Sequence, residues 1–151
     1  IISTTKIKEG SYSLEMSAEN PYFTLNSAID KYIIDAIQKN VIIVIGYRKD
    51  LPKIYFDKRL LVNTVSVYLE ECLRICQENN RLQIECELLE GEKMKVIFEM
   101  RGVDASLEEV AALFDEPSGV AVEKDPTGFR LSDAKRFVES MNGEAGIESL
   151  T

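Results

Sequence analysis

The longest periodic segment of the chain follows Asp57 and determines the centre of any fold that this sequence can adopt. Between residues 60 and 76 the apolar side chains recur every three to four residues, as in an α-helix with a buried stripe. These apolar residues are Leu60, Leu61, Val65, Val67, Tyr68, Leu69, Cys72, Leu73 and Cys76. Asp57 is a favourable N-cap residue, and Glu78-Asn79-Asn80 ends the pattern. The sequence therefore predicts one long helix packed against the rest of the protein.

Strand and helix patterns also precede this segment. Tyr12–Met16 alternates like a short strand, and Asn20-Pro21 then interrupts it. Apolar residues at helical spacing predict a first helix over Tyr22–Lys39. Its stripe consists of Phe23, Leu25, Ala28, Ile29, Ile33, Ile34 and Ile37. Val41–Tyr47 is rich in β-branched residues and Lys53–Phe56 is a shorter apolar run, so we predict a strand in each.

The chain after the long helix predicts a hairpin. Arg81–Leu89 and Glu92–Met100 are alternating segments, and the short turn Glu90-Gly91 joins them. Ser106 followed by Glu109 has the spacing of a capping box, which predicts a short helix ending at Phe114. Two antiparallel strands and a short helix are therefore expected here.

A loop and a last helix complete the pattern. Pro117, Gly119 and Pro126 mark the loop. The helix is predicted over Arg130–Met141, ending at Asn142-Gly143, and Glu144–Leu150 is a candidate closing strand. The predicted fold class is α+β: a two-layer α/β sandwich with a mixed sheet and helices packed on one face.

Composition excludes several functional classes. The chain has 151 residues, which fits one domain, and its net charge of -8 argues against nucleic acid as a partner. It contains no histidine, so it lacks the commonest general base and any phosphoacceptor histidine of its own. Three cysteines without a disulfide framework and the lack of a long apolar run predict a cytoplasmic fragment without membrane contact, whether or not a parent protein is membrane-anchored.

Four short segments carry a resemblance to a known family. They are Asp57-Lys-Arg-Leu-Leu61 with Val67-Tyr-Leu-Glu-Glu-Cys-Leu-Arg74, Met100-Arg-Gly-Val-Asp104, Leu113-Phe114, and Pro126-Thr-Gly-Phe-Arg-Leu131. In this order the sequence resembles the ATP-binding domain of sensor histidine kinases, a branch of the gyrase-type (Bergerat) ATPase superfamily. Residues 4–14 are similar to the segment where the family's dimerisation helix ends. The resemblance implies a linker at 1–11 and the ATP-binding domain at 12–151.

The long helix would carry the family's magnesium and phosphate groups. The family pattern there is Asn-x-x-x-Asn-Ala-x-Lys, and Val67 stands at the first Asn of that pattern. Glu71 stands at the magnesium-binding Asn, and Arg74 at the Lys on the phosphate side. The resemblance implies Mg²⁺ at Glu71, although a carboxylate there is longer than the usual ligand. The alternative is that Glu71 and Arg74 form an ordinary pair on a helix surface.

The two glycine motifs of the family are both altered. Met100 stands where the family has the Asp that binds the adenine amino group, Gly102 is retained, and Asp104 replaces a glycine. In the last motif, which places backbone amides against phosphates, Thr127 and Gly128 match and Arg130 replaces a glycine. An Arg130 side chain either obstructs the phosphates or, in a rearranged loop, clamps them. Met100 is otherwise a core residue filling the base pocket.

These substitutions predict a divergent ATP-binding domain in which the binding of ATP and Mg²⁺ is weak or lost. Such a domain would act as a pseudokinase or regulatory module in phosphorelay signalling. The implied partners are the dimerisation and phosphoacceptor domain of the same protein and a response regulator. Two alternatives are an active ATP-dependent histidine kinase with atypical site residues, and the ATPase-like domain of a histidine phosphotransferase that docks a response regulator.

Overall fold

The computed structural model describes residues 13–91, 93–115 and 130–148. The elements in chain order are β1 (Met16–Glu19), α1 (Pro21–Asp30), α2 (Ile33–Gln38), β2 (Ile42–Ile45), β3 (Ile54–Asp57), α3 (Lys58–Ile75), β4 (Arg81–Leu89), β5 (Lys93–Met100), α4 (Leu107–Leu113) and α5 (Leu131–Ser140). The domain boundary predicted near residue 12 lies outside the described residues and stays a prediction.

The strands form one mixed sheet and one separate ladder. β2 pairs in parallel with β4, and β4 pairs in antiparallel with β5, so the order is β2-β4-β5. β1 and β3 form an antiparallel pair of their own. The predicted hairpin is therefore confirmed, and its turn contains Gly91 at φ 75°, a conformation that glycine adopts without strain. The predicted α+β architecture with a mixed sheet is also confirmed.

α3 is the central helix, because α1 packs against one side of it and α5 against the other. One face of α3 belongs to an apolar core shared with α1, β2 and β4, in which Leu25, Leu69 and Ile84 are fully buried. Its other face belongs to a second core shared with α4 and α5. This two-sided burial explains why the helix pattern of α3 was so broad in the sequence.

Asp57 holds the start of α3 and the entry of the chain together. Its side chain is 1% exposed, accepts the Leu60 backbone N–H at 3.1 Å as an N-cap, and accepts the Glu15 N–H at 2.8 Å. The Asp57 backbone N–H in turn donates to the Met141 sulfur at 3.4 Å. The Asp57 carboxylate therefore links the residue before β1 to the start of α3, and its backbone N–H contacts the residue that follows α5.

Replacing Asp57 with alanine is expected to lower the free energy of unfolding by about 2–4 kcal/mol, because the buried Leu60 N–H and the part-buried Glu15 N–H lose their acceptor. Urea denaturation followed by circular dichroism measures this change. The matched control is Ser106→Ala, which removes the cap that accepts the Glu109 N–H at an exposed position and should cost about 1 kcal/mol. Equal losses for the two variants would contradict the linking role of Asp57.

Three parts of the sequence prediction differ from the structure. The single helix predicted over 22–39 is two helices, α1 and α2, because Tyr32 between them leaves helical geometry. The Tyr32 ring is buried, and its hydroxyl donates to Glu70 at 2.7 Å. The first strand is Met16–Glu19 rather than residues 12–16, since β1 pairs with β3 from Met16 onward. A closing strand was predicted over 144–150; residues 144–148 are not in a strand, and 149–150 lie outside the described residues.

Candidate functional site

The region where the resemblance places a nucleotide is bordered by α3, the end of β5, α4 and α5. Apolar side chains of these elements meet in the second apolar core, and Ser66, Ser132 and Asp133 of α3 and α5 are also buried. The buried members of this apolar core are Leu60, Val67, Ile75, Val110, Phe114, Leu131, Ala134 and Phe137. Met100, at the end of β5, packs against this core and against the first core as well. We call this set of buried side chains the α3–α5 core.

Val67 lies inside the α3–α5 core. Its side chain is 2% exposed and belongs to the same cluster as Phe114 and Leu131. The position at which the family carries the first Asn of its magnesium helix is thus enclosed by hydrocarbon. An amide or an ion could be accommodated there only by separating α5 from α3, at the cost of the buried apolar contacts.

Glu71 and Arg74 form an ion pair one turn apart on α3. The Arg74 Nη2 and Nε atoms donate to the same Glu71 carboxylate oxygen, at 2.7 and 3.1 Å. The Arg74 side chain is 58% exposed and that of Glu71 28% exposed, so solvent weakens the pair. The structure therefore matches the surface-pair alternative and brings the two predicted residues together as partners of each other.

Glu71, the carboxylate predicted to bind Mg²⁺, is engaged in this ion pair. Mg²⁺ requires near-octahedral oxygen coordination, and the Glu71 carboxylate is already bound to a guanidinium. Within residues 13–91, 93–115 and 130–148, no cluster of three or more histidine, cysteine, aspartate or glutamate side chains is placed to hold a metal ion.

Met100 is half-buried and ends β5 opposite Leu82. A thioether is a weak acceptor, so it does not replace the carboxylate that accepts the adenine amino group in the family. The position packs against both apolar cores, in agreement with the prediction that Met100 is a core residue.

The segment after β5 is hydrogen-bonded along the end of α3. The Gln77 N–H donates to the Gly102 carbonyl at 2.9 Å, and the Asp104 N–H donates to the Ile75 carbonyl at 2.7 Å. The Gln77 amide also donates to the Asp104 carboxylate at 3.0 Å. A side chain at Gly102 would come within 2.7 Å of the Asn80 amide. Gly102 and Asp104 thus hold this segment against α3.

The start of α5 already contains an anionic group. The Arg130 backbone N–H donates to the Asp133 carboxylate at 2.9 Å, and Arg136 Nη2 donates to the same carboxylate at 2.7 Å. Asp133 is fully buried. A helix N-terminus attracts one negative charge through its unpaired N–H groups, and Asp133 supplies that charge from within the chain.

Sequence reasoning did not identify Asp133 as a site residue. The available signal was the acidic residue three positions after Arg130, which is the capping-box spacing. Thr127 and Gly128, the other two predicted phosphate residues, lie outside the described residues.

Tyr68 belongs to an aromatic group beside the α3–α5 core. Its ring stacks on Phe98 with centroids 5.3 Å apart and lies 6.0 Å from the Phe114 ring. Burial raises the pKa of Tyr68 to about 12, with a smaller rise from Cys72. The neutral phenol is thus strongly favoured in the folded protein.

This pKa predicts a loss of stability in alkaline solution. The unfolded Tyr68 ionises near its ordinary pKa of 10.0 and the folded one near 12, so its contribution is complete below pH 10 and is lost as the pH rises toward 12. Urea midpoints measured from pH 9 to 12 should fall less steeply for Tyr68→Phe than for the parent chain. Part of the fall will remain, because burial also raises the pKa of Cys86 to about 11. Identical slopes for the two proteins would refute the assignment.

Comparisons with known proteins find similarity at the level of structure. No family model and no curated protein matches the sequence. The chain superposes on histidine kinase AdeS of Acinetobacter baumannii with a TM-score of 0.60 and 13% identity, covering 91% of this chain and 62% of that chain. It superposes on the nucleotide-free catalytic domain of histidine kinase ThkA with a TM-score of 0.67 and 14% identity, over 85% of this chain and 82% of that one.

A further match is full-length ShkA in complex with AMPPNP, with a TM-score of 0.77 and 14% identity. It covers 97% of this chain and 30% of ShkA. These matches show that the chain has the fold of a histidine kinase catalytic domain, which confirms the predicted fold. None of the helices described in the structure is long and apolar enough to cross a lipid bilayer.

Proposed function

We propose that this chain is a divergent ATP-binding domain of a two-component sensor histidine kinase that acts by contact, as a pseudokinase or regulatory module. The fold is the basis for proposing a histidine kinase ATP-binding domain. The side chains at the candidate site are the basis for proposing that ATP binding is weak or lost. The proposal rests on one observation above all. The α3–α5 core, to which the buried Val67 belongs, packs apolar side chains of α3 against those of α5, the two helices that would border a nucleotide.

The polar candidates support the same conclusion, because each has a partner inside the chain. Glu71 is paired with Arg74, and Asp104 is bound to Gln77. The N-terminus of α5 carries the Asp133 carboxylate, which a phosphate would have to displace or approach against its charge. A nucleotide would therefore have to break existing contacts before making its own.

The loss of base recognition has a calculable consequence. A hydrogen bond to a charged acceptor contributes about 1.5–3 kcal/mol, so methionine in place of the adenine-binding aspartate weakens binding roughly tenfold to a hundredfold. The missing magnesium ligands add to this loss, since the metal neutralises the phosphates in such sites. ATP is therefore expected to bind at least tenfold more weakly than it does to a domain that retains both groups.

A domain of this kind would function through its surface. Its partners would be the dimerisation and phosphoacceptor domain of the same protein and a response regulator. Full-length ShkA in complex with AMPPNP shows that a protein with this fold can bind a nucleotide.

The test is an autophosphorylation assay on the full-length natural protein that carries this chain, with radiolabelled ATP and Mg²⁺. We expect no label on the protein, and label only when a separate active kinase is added. Stoichiometric labelling of the protein alone that is lost in Glu71→Gln would overturn the proposal and establish the active-kinase alternative.

A further inference from the structure

The Asp133 carboxylate is bound from two sides at the start of α5. Its Oδ2 atom accepts the Arg130 backbone N–H at 2.9 Å, and its Oδ1 atom accepts Arg136 Nη2 at 2.7 Å. The first donor belongs to the backbone that enters the helix, and the second to a side chain one turn further along. Asp133 is fully buried, and a buried carboxylate is stable only when its charge and its oxygens have partners. The geometry is that of an anion site whose occupant is a side chain of the same helix.

The same turn of α5 contains a further donor. The first N–H groups of an α-helix have no carbonyl partner within the helix and form the positive end of its dipole. Ser132, the neighbour of Asp133, is 6% exposed, and its Oγ has no hydrogen-bond partner within the part of the chain that the structure describes. A buried hydroxyl without a partner is uncommon in proteins. This turn therefore has one more donor than the carboxylate uses.

The burial of Asp133 distinguishes it from an ordinary capping residue. In a capping box the acidic side chain needs only the backbone N–H of the residue before the helix. Asp133 also binds a guanidinium, and it is removed from solvent although the Arg136 side chain is 43% exposed. The carboxylate of Asp115 provides the contrast, because its side chain is 80% exposed and it contacts Lys135 of α5 at 3.7 Å. Asp133 is thus enclosed as a bound anion would be.

We propose that Asp133 is an internal substitute for a bound anion, which holds the start of α5 in place without any phosphate ligand. The inference rests on the proposed function and deepens it, because a domain that acts by contact needs the same surface with and without nucleotide. The carboxylate is at the same time an autoinhibitory contact, since it occupies donors that a phosphate would use. The start of α5 therefore keeps one arrangement at all nucleotide concentrations.

The experiment removes this carboxylate and supplies a free one. Asp133→Ala leaves a space between the Arg130 N–H and the Arg136 guanidinium, and formate is the smallest carboxylate that can enter it. Urea unfolding is followed by circular dichroism in sodium formate and in sodium chloride at equal ionic strength. We expect about 100 mM formate to raise the folding equilibrium constant of Asp133→Ala about tenfold over chloride, which corresponds to a Kd of about 10 mM.

Asp115→Ala is the matched control, because it removes the same charge from an exposed partner of α5. Formate should stabilise neither this variant nor the parent chain more than chloride does. Asp133→Asn is a second control, since its amide fills the space that formate would enter. An equal formate effect in Asp115→Ala or in the parent chain would overturn the proposal, and so would the lack of an effect in Asp133→Ala.

The same titration serves if Asp133→Ala is unfolded in chloride. Formate should then restore the helical circular dichroism signal, with the parent chain as the reference for the folded state. A chain that gains no helix at any formate concentration would contradict an anion site at this position.

Inorganic phosphate in place of formate tests the relation to a phosphate ligand. Phosphate stabilises proteins in general, so the quantity of interest is the difference between Asp133→Ala and Asp115→Ala. We expect phosphate to stabilise Asp133→Ala more, by a factor of at least about ten in the folding equilibrium constant, because the Ser132 hydroxyl adds a donor. Equal stabilisation of the two variants would refute the substitution of Asp133 for a phosphate.

These measurements contain no nucleotide, so they are independent of the test of the proposed function. A parent protein that labels itself with ATP would overturn the proposed function and would leave the formate result unchanged. A chain that fails to respond to formate and phosphate would remove the internal anion while the weak binding of ATP could still hold.

Discussion

Replacing Phe137 with alanine will lower the free energy of unfolding by about 3–5 kcal/mol, the range for a large aromatic removed from a packed core. Phe137 is 1% exposed and anchors α5 in the α3–α5 core. The loss combines the lost burial of the ring with the cavity that remains. Denaturant unfolding followed by circular dichroism measures the change.

The matched control is Phe23→Ala, which removes the same ring from a position that is 60% exposed. Phe23 contacts Tyr22 edge-to-face and lies under Lys49, so its removal should cost about 1 kcal/mol. A similar loss of unfolding free energy at the two positions would mean that α5 is not held by apolar packing. The proposed role of the α3–α5 core would then be wrong.

The substitution Val67→Asn will destabilise the protein by about 2–4 kcal/mol and will not restore nucleotide binding. It returns the family's side chain to the first position of the motif, but the amide enters a hydrocarbon environment without partners. Thermal and urea unfolding measure the stability, and fluorescence of a labelled ATP analogue measures the binding.

Val103→Asn provides the comparison, because Val103 is 38% exposed and an amide there remains in contact with water. Its effect should be within about 0.5 kcal/mol. A Val67→Asn protein that is as stable as the parent, or that acquires affinity for the analogue, would show that the space beside Val67 is open to water and ligand.

The sequence predicts those elements whose determinants are local. α3 is bounded by the Asp57 cap and carries an unbroken helical period, so its prediction agrees with the structure within a residue or two. The β4–β5 hairpin follows from alternation and the Gly91 turn. The break between α1 and α2 lies at Tyr32, whose hydroxyl donates to Glu70, 38 residues away, and such a contact is not visible in a local sequence pattern.

The same distinction holds for the candidate site. The resemblance identified which positions to examine, and the structure shows Met100 in the core and Glu71 paired with Arg74. The sequence could not show that Val67 is enclosed by α4 and α5, because that contact joins segments more than 40 residues apart. Asp133 was missed because its role arises from its position at a helix start, bound to the backbone of Arg130.

The central claim is that packing between α3 and α5 has closed the nucleotide site, and calorimetric titration of the chain with Mg–ATP tests it most directly. At nucleotide concentrations up to the millimolar range, we expect the heats of titration to equal the heats of dilution. A saturable isotherm with one nucleotide per chain and a Kd in the micromolar range would contradict it.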